Sequence, residues 1–153
     1  MVDIYYIIKC MQKIKKLLNF WLPPILWALL IFSFSSFPTV KTSEFFLGDF
    51  ILKKTAHIVE YGVLATLLYR AMINSGIEKK KAMWIAVVTA VLYGITDEIH
   101  QSFTPGRGPA VRDVIIDTIG ASIFIFGILK NIKKMPLIIQ NMYNRYQISN
   151  QWK

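Results

Sequence analysis

Four long apolar segments dominate this sequence and constrain its fold more than any other feature. The first, from Trp21 to Phe37, contains no charged residue, and the others cover about 55–73, 82–101 and 113–130. Each is close to the ~20 residues that a helix needs to cross a bilayer. With 54% apolar residues and a mean hydropathy of +0.43, the chain is too apolar for an ordinary soluble domain of 153 residues. We therefore predict an all-α fold, a bundle of four transmembrane helices.

The two ends of the chain differ from this membrane domain, which we place at residues 21–130. Residues 1–20 set large apolar side chains at helical spacing opposite lysines, which is typical of a short amphipathic helix lying in the membrane interface. Residues 131–153 form a basic tail. In an alternative interpretation residues 1–36 are a cleaved signal peptide, although the apolar stretch exceeds the ~7–15 residues usual for such peptides.

Lysine and arginine are distributed unevenly between the two ends of the predicted helices. Thirteen basic residues fall in the N-terminal segment, the second loop and the tail, and five fall on the other side. Because cytoplasmic loops retain basic residues, we predict a multi-pass protein with both termini, and the tail, in the cytoplasm. Juxtamembrane lysines also account for the formal net charge of +9, so we exclude nucleic acid as a partner and expect the lipid bilayer instead.

Ionisable and polar side chains cluster at one end of three predicted helices. They lie at the start of the second helix, the end of the third and the start of the fourth, which the predicted topology brings together at the extracytoplasmic face. The candidate residues are His57, Glu60, Tyr61, Asp97, Glu98, His100, Gln101, Arg107, Arg112, Asp113 and Asp117. A charged group deep in a membrane costs at least ~2.5–3.5 kcal/mol on insertion scales, so such groups normally face the bundle interior and pair. We therefore predict one polar site.

Helical spacing assigns faces within this set. The residues that share a face at i, i+3 and i+4 are His57, Glu60 and Tyr61 on the second helix and Asp97, His100 and Gln101 on the third. Glu98 points elsewhere. Asp113 has an ordinary alternative role as a cap of the fourth helix, whereas Asp117 lies one turn further inside, where a desolvated carboxylate needs a partner.

The turn before the fourth helix, residues 104–109, contains two prolines and two glycines around Arg107. An arginine beside backbone donors and a helix start forms an anion site, and lipid phosphates are the anions available at that face. Taken alone, Gly106 and Gly108 are also explained by a tight connection.

Three blocks of this sequence, residues 54–62, 97–107 and 113–121, resemble the VanZ-like membrane proteins in order and spacing, over about residues 50–125. The resemblance implies a multi-pass protein of the bacterial cytoplasmic membrane. It also implies a link to the cell envelope, because the founding member of the family confers low-level resistance to the glycopeptide teicoplanin. No reaction follows from the resemblance. Family members commonly carry asparagine where this chain has Asp117, so we expect an additional negative charge in this site.

Two classes of function follow from these residues, and whether the protein is an enzyme stays open. In the leading hypothesis the site binds an anionic envelope lipid or a lipid-linked wall precursor. Its binding residues are then Tyr61, Gln101, Arg107, Arg112, Asp113 and Asp117. In the alternative the chain is a membrane-embedded hydrolase or transferase acting on a phospho- or lipid-linked envelope substrate. Its catalytic residues are then His57, Glu60, Asp97, Glu98 and His100.

No cofactor is expected. A divalent metal is the less favoured hypothesis, and its ligands would be His57, Glu60, Asp97 and His100. The same spacing serves an ordinary hydrogen-bonded pair, so it is weaker than a dedicated zinc motif. A third class, a structural or assembly protein, predicts that loss of these polar groups harms folding more than activity. The sequence does not indicate the oligomeric state.

Overall fold

The computed structural model describes residues 4–38, 47–108, 110–129, 131–134, 137, 138, 140 and 141, and within them the chain is helical without strands. The α-helices are α1 (Ile4–Ser35), α2 (Leu47–Asn74), α3 (Lys79–Gln101) and α4 (Val111–Ser122). A π-helical segment, Ile123–Leu129, continues α4, and a short 3-10 turn follows at Ile132–Lys134. The all-α prediction is therefore confirmed. Most of the predicted tail lies outside the described residues.

α1 corrects the predicted boundary between an interfacial helix at 1–20 and a spanning helix at 21–37. One helix of 32 residues covers both, and Pro23 and Pro24 lie inside it instead of in a first turn. A proline in a helix interior frees the carbonyl four residues earlier. The carbonyl of Asn19, freed by Pro23, accepts a long hydrogen bond of 3.5 Å from Arg70 of α2, whose guanidinium lies 4.7 Å from the Phe20 ring centroid. Arg70 thus supports α1 where the helix lacks its own hydrogen bond.

α2 is the central helix, because it packs against α1, α3 and α4. Its buried face includes Tyr61, Leu64, Ala65, Leu68 and Met72. α3 contributes small residues at every fourth position, namely Ala82, Ala86, Ala90 and Gly94, all of which are buried. Small side chains at this spacing allow helices to approach closely in a membrane.

Among the described residues, α1 and α3 are the two helices long and apolar enough to cross a membrane. Only 17% of the most apolar window of α1 is buried within the protein, so its leucine-rich surface needs an apolar environment around it. α2 carries charged residues at both ends, and α4 has 12 residues, about 18 Å at 1.5 Å per residue, before the helix widens. Length and composition therefore support two of the four predicted spans.

α2 and α4 approach so closely at Gly120 that this position has no room for a side chain. A Cβ atom there would overlap the carbonyl oxygen of Ile58 and lie 2.8 Å from its Cα. Backbone cannot move aside as a flexible side chain can. The contact lies next to His57 on α2 and three residues after Asp117 on α4, and it fixes the distance between the two helices there.

Replacing Gly120 with alanine is therefore expected to destabilise the folded protein by about 1–3 kcal/mol, the usual cost of overpacking a core. The matched control is Gly127→Ala, because a Cβ at Gly127 meets only the Ile123 side chain at 3.8 Å. Thermal unfolding of both variants in detergent provides the measurement. Equal melting temperatures for the two variants would show that the helices do not pack in this way.

Candidate functional site

A cavity of about 340 Å³ opens between the C-terminal end of α1, the first turns of α2, the end of α3 and the turn before α4. Its charged lining residues are Lys53, Lys54, Glu60, Asp97, Arg107 and Asp113. His57 and Gln101 complete its polar wall. The structure thus brings together residues from all the elements that the sequence assigns to one polar site.

An ion pair and a histidine–carboxylate contact connect α2 to α4 at this end of the bundle. Lys54 Nζ lies 2.6 Å from Asp113 Oδ1, and His57 Nδ1 lies 3.0 Å from Asp117 Oδ1. Each helix presents its two members about one turn apart, so the pairs form successive links across the same interface. Asp117 is 2% exposed and lies beside Gly94 of α3, where a Cβ on the glycine would be 3.4 Å from its Oδ2. Asp117, the carboxylate predicted to need a partner, is therefore paired with His57.

Asp97 is buried and only half satisfied. Gln101, one turn further along α3, donates a hydrogen bond of 2.7 Å from Nε2 to Asp97 Oδ2. Within the described part of the chain, Asp97 Oδ1 has no hydrogen-bond partner, and neither has the hydroxyl of the fully buried Tyr61. A buried polar group without a partner costs about 1–3 kcal/mol, so Asp97 Oδ1 is a position for a ligand atom or water.

Arg107 closes the mouth of the cavity and is held by the end of α1. Its Nε donates to the carbonyl of Phe37 at 3.3 Å, and its Nη2 donates to the carbonyl of Phe34 at 3.2 Å. The last carbonyls of a helix lack partners within the helix and carry partial negative charge, so they attract a guanidinium. Gly106 permits the turn, because its φ of +81° is strained for other residues.

Several predicted site residues lie outside the cavity lining. His100 turns to α1, with Nε2 at 3.0 Å from Ser36 Oγ and its ring centroid 4.3 Å from that of Phe32. The Glu98 carboxylate accepts a 2.9 Å hydrogen bond from the Ala110 amide and so fixes the turn before α4. The remaining three, which do not line the cavity either, are Tyr61, Arg112 and Asp117. The prediction that Glu98 points away from Asp97 and Gln101 agrees with this geometry.

The sequence missed the two lysines of α2 as site residues. Lys54 lies three residues before His57 and therefore on the same face, a signal that was present in the spacing. The predicted capping role of Asp113 is not what the structure has. The N-cap residue of α4 is Ala110, which makes no side-chain hydrogen bond, and the Asp113 carboxylate pairs with Lys54 instead.

The four residues of the metal hypothesis do not converge. His57 pairs with Asp117 on α4, while His100 faces α1. Among the residues that the structure describes, no three His, Cys, Asp or Glu side chains are grouped so as to hold a metal ion. The geometry therefore lends this hypothesis no support.

An all-helical chain with two apolar helices of membrane length and a polar cavity at one end indicates a membrane protein with a site between its helices. A family model described as VanZ/LLP1 matches residues 20–133, which is more than half of the chain. The protein therefore belongs to the VanZ/LLP1 family. No curated protein and no solved structure matches it. All the charged residues of the cavity fall inside the matched region.

The His57–Asp117 pair is expected to dominate the stability of the site. His57→Ala leaves a buried carboxylate without its partner, which costs about 3–5 kcal/mol. The double variant His57→Ala with Asp117→Asn should recover part of that loss, because the amide carries no charge. Equilibrium unfolding in mixed micelles measures these differences, with His100→Ala as the control histidine, since its contacts to α1 are more exposed. A double variant less stable than His57→Ala would contradict the pairing.

Proposed function

We propose that this protein binds, through the polar cavity, the phosphate of an anionic envelope lipid or of a lipid-linked wall precursor. The observation that carries the proposal is the position of Arg107. Its guanidinium lines the cavity, is held by two backbone carbonyls, and forms no ion pair with a carboxylate in the described part of the chain. Arginine is well suited to phosphate, because its planar N–H groups match phosphate oxygens.

The charge balance around the cavity supports an anionic ligand at its mouth. Asp113 neutralises Lys54, and Asp117 pairs with His57. Arg107 and the exposed Lys53 form no ion pair with any described residue, so two positive charges at the mouth are available to an incoming anion. A lipid phosphate lies at the height of the membrane surface, and in the orientation predicted from the basic residues these two side chains meet it there.

The size of the cavity indicates which part of a lipid enters it. Small-molecule sites usually measure about 300–1,000 Å³, so a cavity of about 340 Å³ is at the lower end of that range. It admits a headgroup or a phosphate, while acyl chains stay outside against the apolar surface of α1. A change in the availability of such headgroups would alter the chemistry of the cell surface, and we propose this as the route to altered glycopeptide susceptibility.

One observation favours a second candidate, a hydrolase or transferase. The contact of Asp117 with His57 Nδ1 fixes the ring and directs Nε2 away from it, and His57 lines the cavity. A histidine oriented by a carboxylate is the usual arrangement of a general base. In this candidate His57 accepts a proton from water as the water oxygen bonds to phosphorus. The ester P–O bond then breaks, and the proton passes to the leaving oxygen.

We further propose that all four helices cross the membrane, with both termini in the cytoplasm and the cavity at the extracytoplasmic face. The distribution of lysine and arginine supports this orientation. A cysteine introduced at Ser102 is expected to react with a membrane-impermeant maleimide added to intact cells, while one at Glu78 reacts only after lysis. Cys10, the one native cysteine, is first replaced by serine. The reverse labelling pattern would contradict the proposed orientation.

Arg107→Gln is expected to weaken binding of a phosphate-bearing lipid at least about tenfold, because one charge-assisted contact accounts for roughly that factor. Lys79→Gln removes the same charge at the opposite end of α3 and should leave binding unchanged. The measurement is binding of dansyl-labelled phosphatidylglycerol to the purified protein. Cells that express Arg107→Gln should also be more susceptible to teicoplanin than cells that express the unchanged chain.

Equal binding by the unchanged chain and Arg107→Gln would overturn the proposed phosphate site. The same preparations separate the two candidate functions, because a catalyst converts its ligand and a binding protein returns it intact. Phosphate release that depends on His57 would favour the hydrolase.

A further inference from the structure

We propose that the ligand of this cavity is a zwitterion, a phosphate ester that also carries an ammonium group, as in a phosphoethanolamine headgroup. This inference rests on the proposed function, since it assigns the second half of the same ligand. Arg107 and Lys53 bind the phosphate at the mouth of the cavity. Glu60 and Asp97 bind the ammonium group deeper in the cavity. The proposal thus narrows the ligand to an aminophosphate, which keeps the phosphate that Arg107 binds and adds an ammonium group.

Two carboxylates face the cavity from neighbouring helices, and neither is in direct contact with a cation of the described residues. Glu60 comes from α2 and Asp97 from α3, and both line the cavity. Among the described residues neither forms an ion pair. Asp97 is 4% exposed, and its Oδ1 lacks a hydrogen-bond partner there while Gln101 holds Oδ2 in place. A buried carboxylate with one oxygen held by a hydrogen bond and the other without a partner can accept a hydrogen bond from a ligand.

The charges are separated by depth. Glu60 follows Lys53 by seven residues of helix, about 10 Å along the axis at 1.5 Å per residue. Lys53 is exposed, whereas Glu60 is partly buried and Asp97 is buried. The cavity therefore has a positive mouth and a negative floor. A purely anionic ligand would pair with the positive charges at the mouth and would leave the carboxylates of Glu60 and Asp97 without a positively charged partner.

The described cations of the protein have their direct contacts elsewhere than at Glu60 and Asp97. Lys54 is 2.6 Å from Asp113, and His57 is paired with Asp117. Arg107 directs Nε and Nη2 to carbonyls at the end of α1. A metal ion is a poor alternative, because within the described residues no three acidic, histidine or cysteine side chains are arranged around a common point. An ammonium needs only hydrogen-bond acceptors, and its three N–H groups suit two carboxylates.

The test compares two soluble headgroups that share a phosphodiester and differ in the ammonium. Glycerophosphoethanolamine and glycerophosphoglycerol are titrated calorimetrically into the purified full-length protein. The unchanged chain is expected to bind the ethanolamine compound about tenfold more tightly, as one buried charge-assisted contact implies. Asp97→Asn should abolish the preference and retain the affinity for glycerophosphoglycerol. Glu60→Gln should give the same pattern, and it replaces Asp97→Asn in the experiment if that variant does not fold. Arg107→Gln should weaken both compounds alike.

The outcomes distinguish this inference from the proposed function. Equal affinity for the two compounds, with both dependent on Arg107, overturns the ammonium assignment and leaves the phosphate site intact. If neither compound binds, the ammonium assignment and the phosphate site are both overturned. Competition by nanodiscs identifies the source of the headgroup. Stronger inhibition by phosphatidylethanolamine than by phosphatidylglycerol indicates a lipid, and a preference for soluble glycerophosphoethanolamine without such a difference between the nanodiscs indicates a free aminophosphate.

Discussion

Pairing of the α4 carboxylates with side chains of α2 is the interaction on which the rest of this structure depends. Two carboxylates of α4 lie within a closely packed helix pair, and α2 provides a lysine for one and a histidine for the other. The match is geometric as well as electrostatic, because the glycine contact between Gly120 and Ile58 sets the helix separation at which these side chains meet. Without the pairs the helices would bury uncompensated charge, and without the close contact the pairs would be too long. Each feature therefore requires the other.

The sequence predicted the all-helical fold and part of the cavity lining, because both depend on local spacing. Residues at i, i+3 and i+4 must share a helix face, so the grouping of His57 with Glu60 followed directly. The rotation of one helix against another does not follow from spacing. His100 was predicted to face the cavity and instead packs on Phe32, since the end of α1 occupies the space beside it. Partner choice across helices, such as Lys54 with Asp113, was likewise not accessible from the sequence.

The continuous course of α1 was also missed, for a different physical reason. Two consecutive prolines ordinarily end or begin a helix, and that rule considers only the chain's own hydrogen bonds. Here Arg70 supplies a hydrogen-bond donor from another helix. It lies on α2, at least 16 residues after the lysines of the cavity. A rule based on local sequence cannot include a contact of this range. The cavity shows the same limit, because the unpartnered oxygen of Asp97 is a property of three-dimensional packing alone.

α1 is secured to the rest of the protein at widely separated points along the chain. Arg70 holds its middle, and Arg107 and His100 hold its C-terminal end, although α1 precedes all three in the sequence. During synthesis α1 therefore emerges before any of its attachments exist. Its middle can be secured once Arg70 of α2 has been made, whereas its C-terminal end must wait for His100 and Arg107. A truncated chain that ends before Arg107 would keep the first helix attached through α2 and α3 and would lack the guanidinium that holds the carbonyls of Phe34 and Phe37.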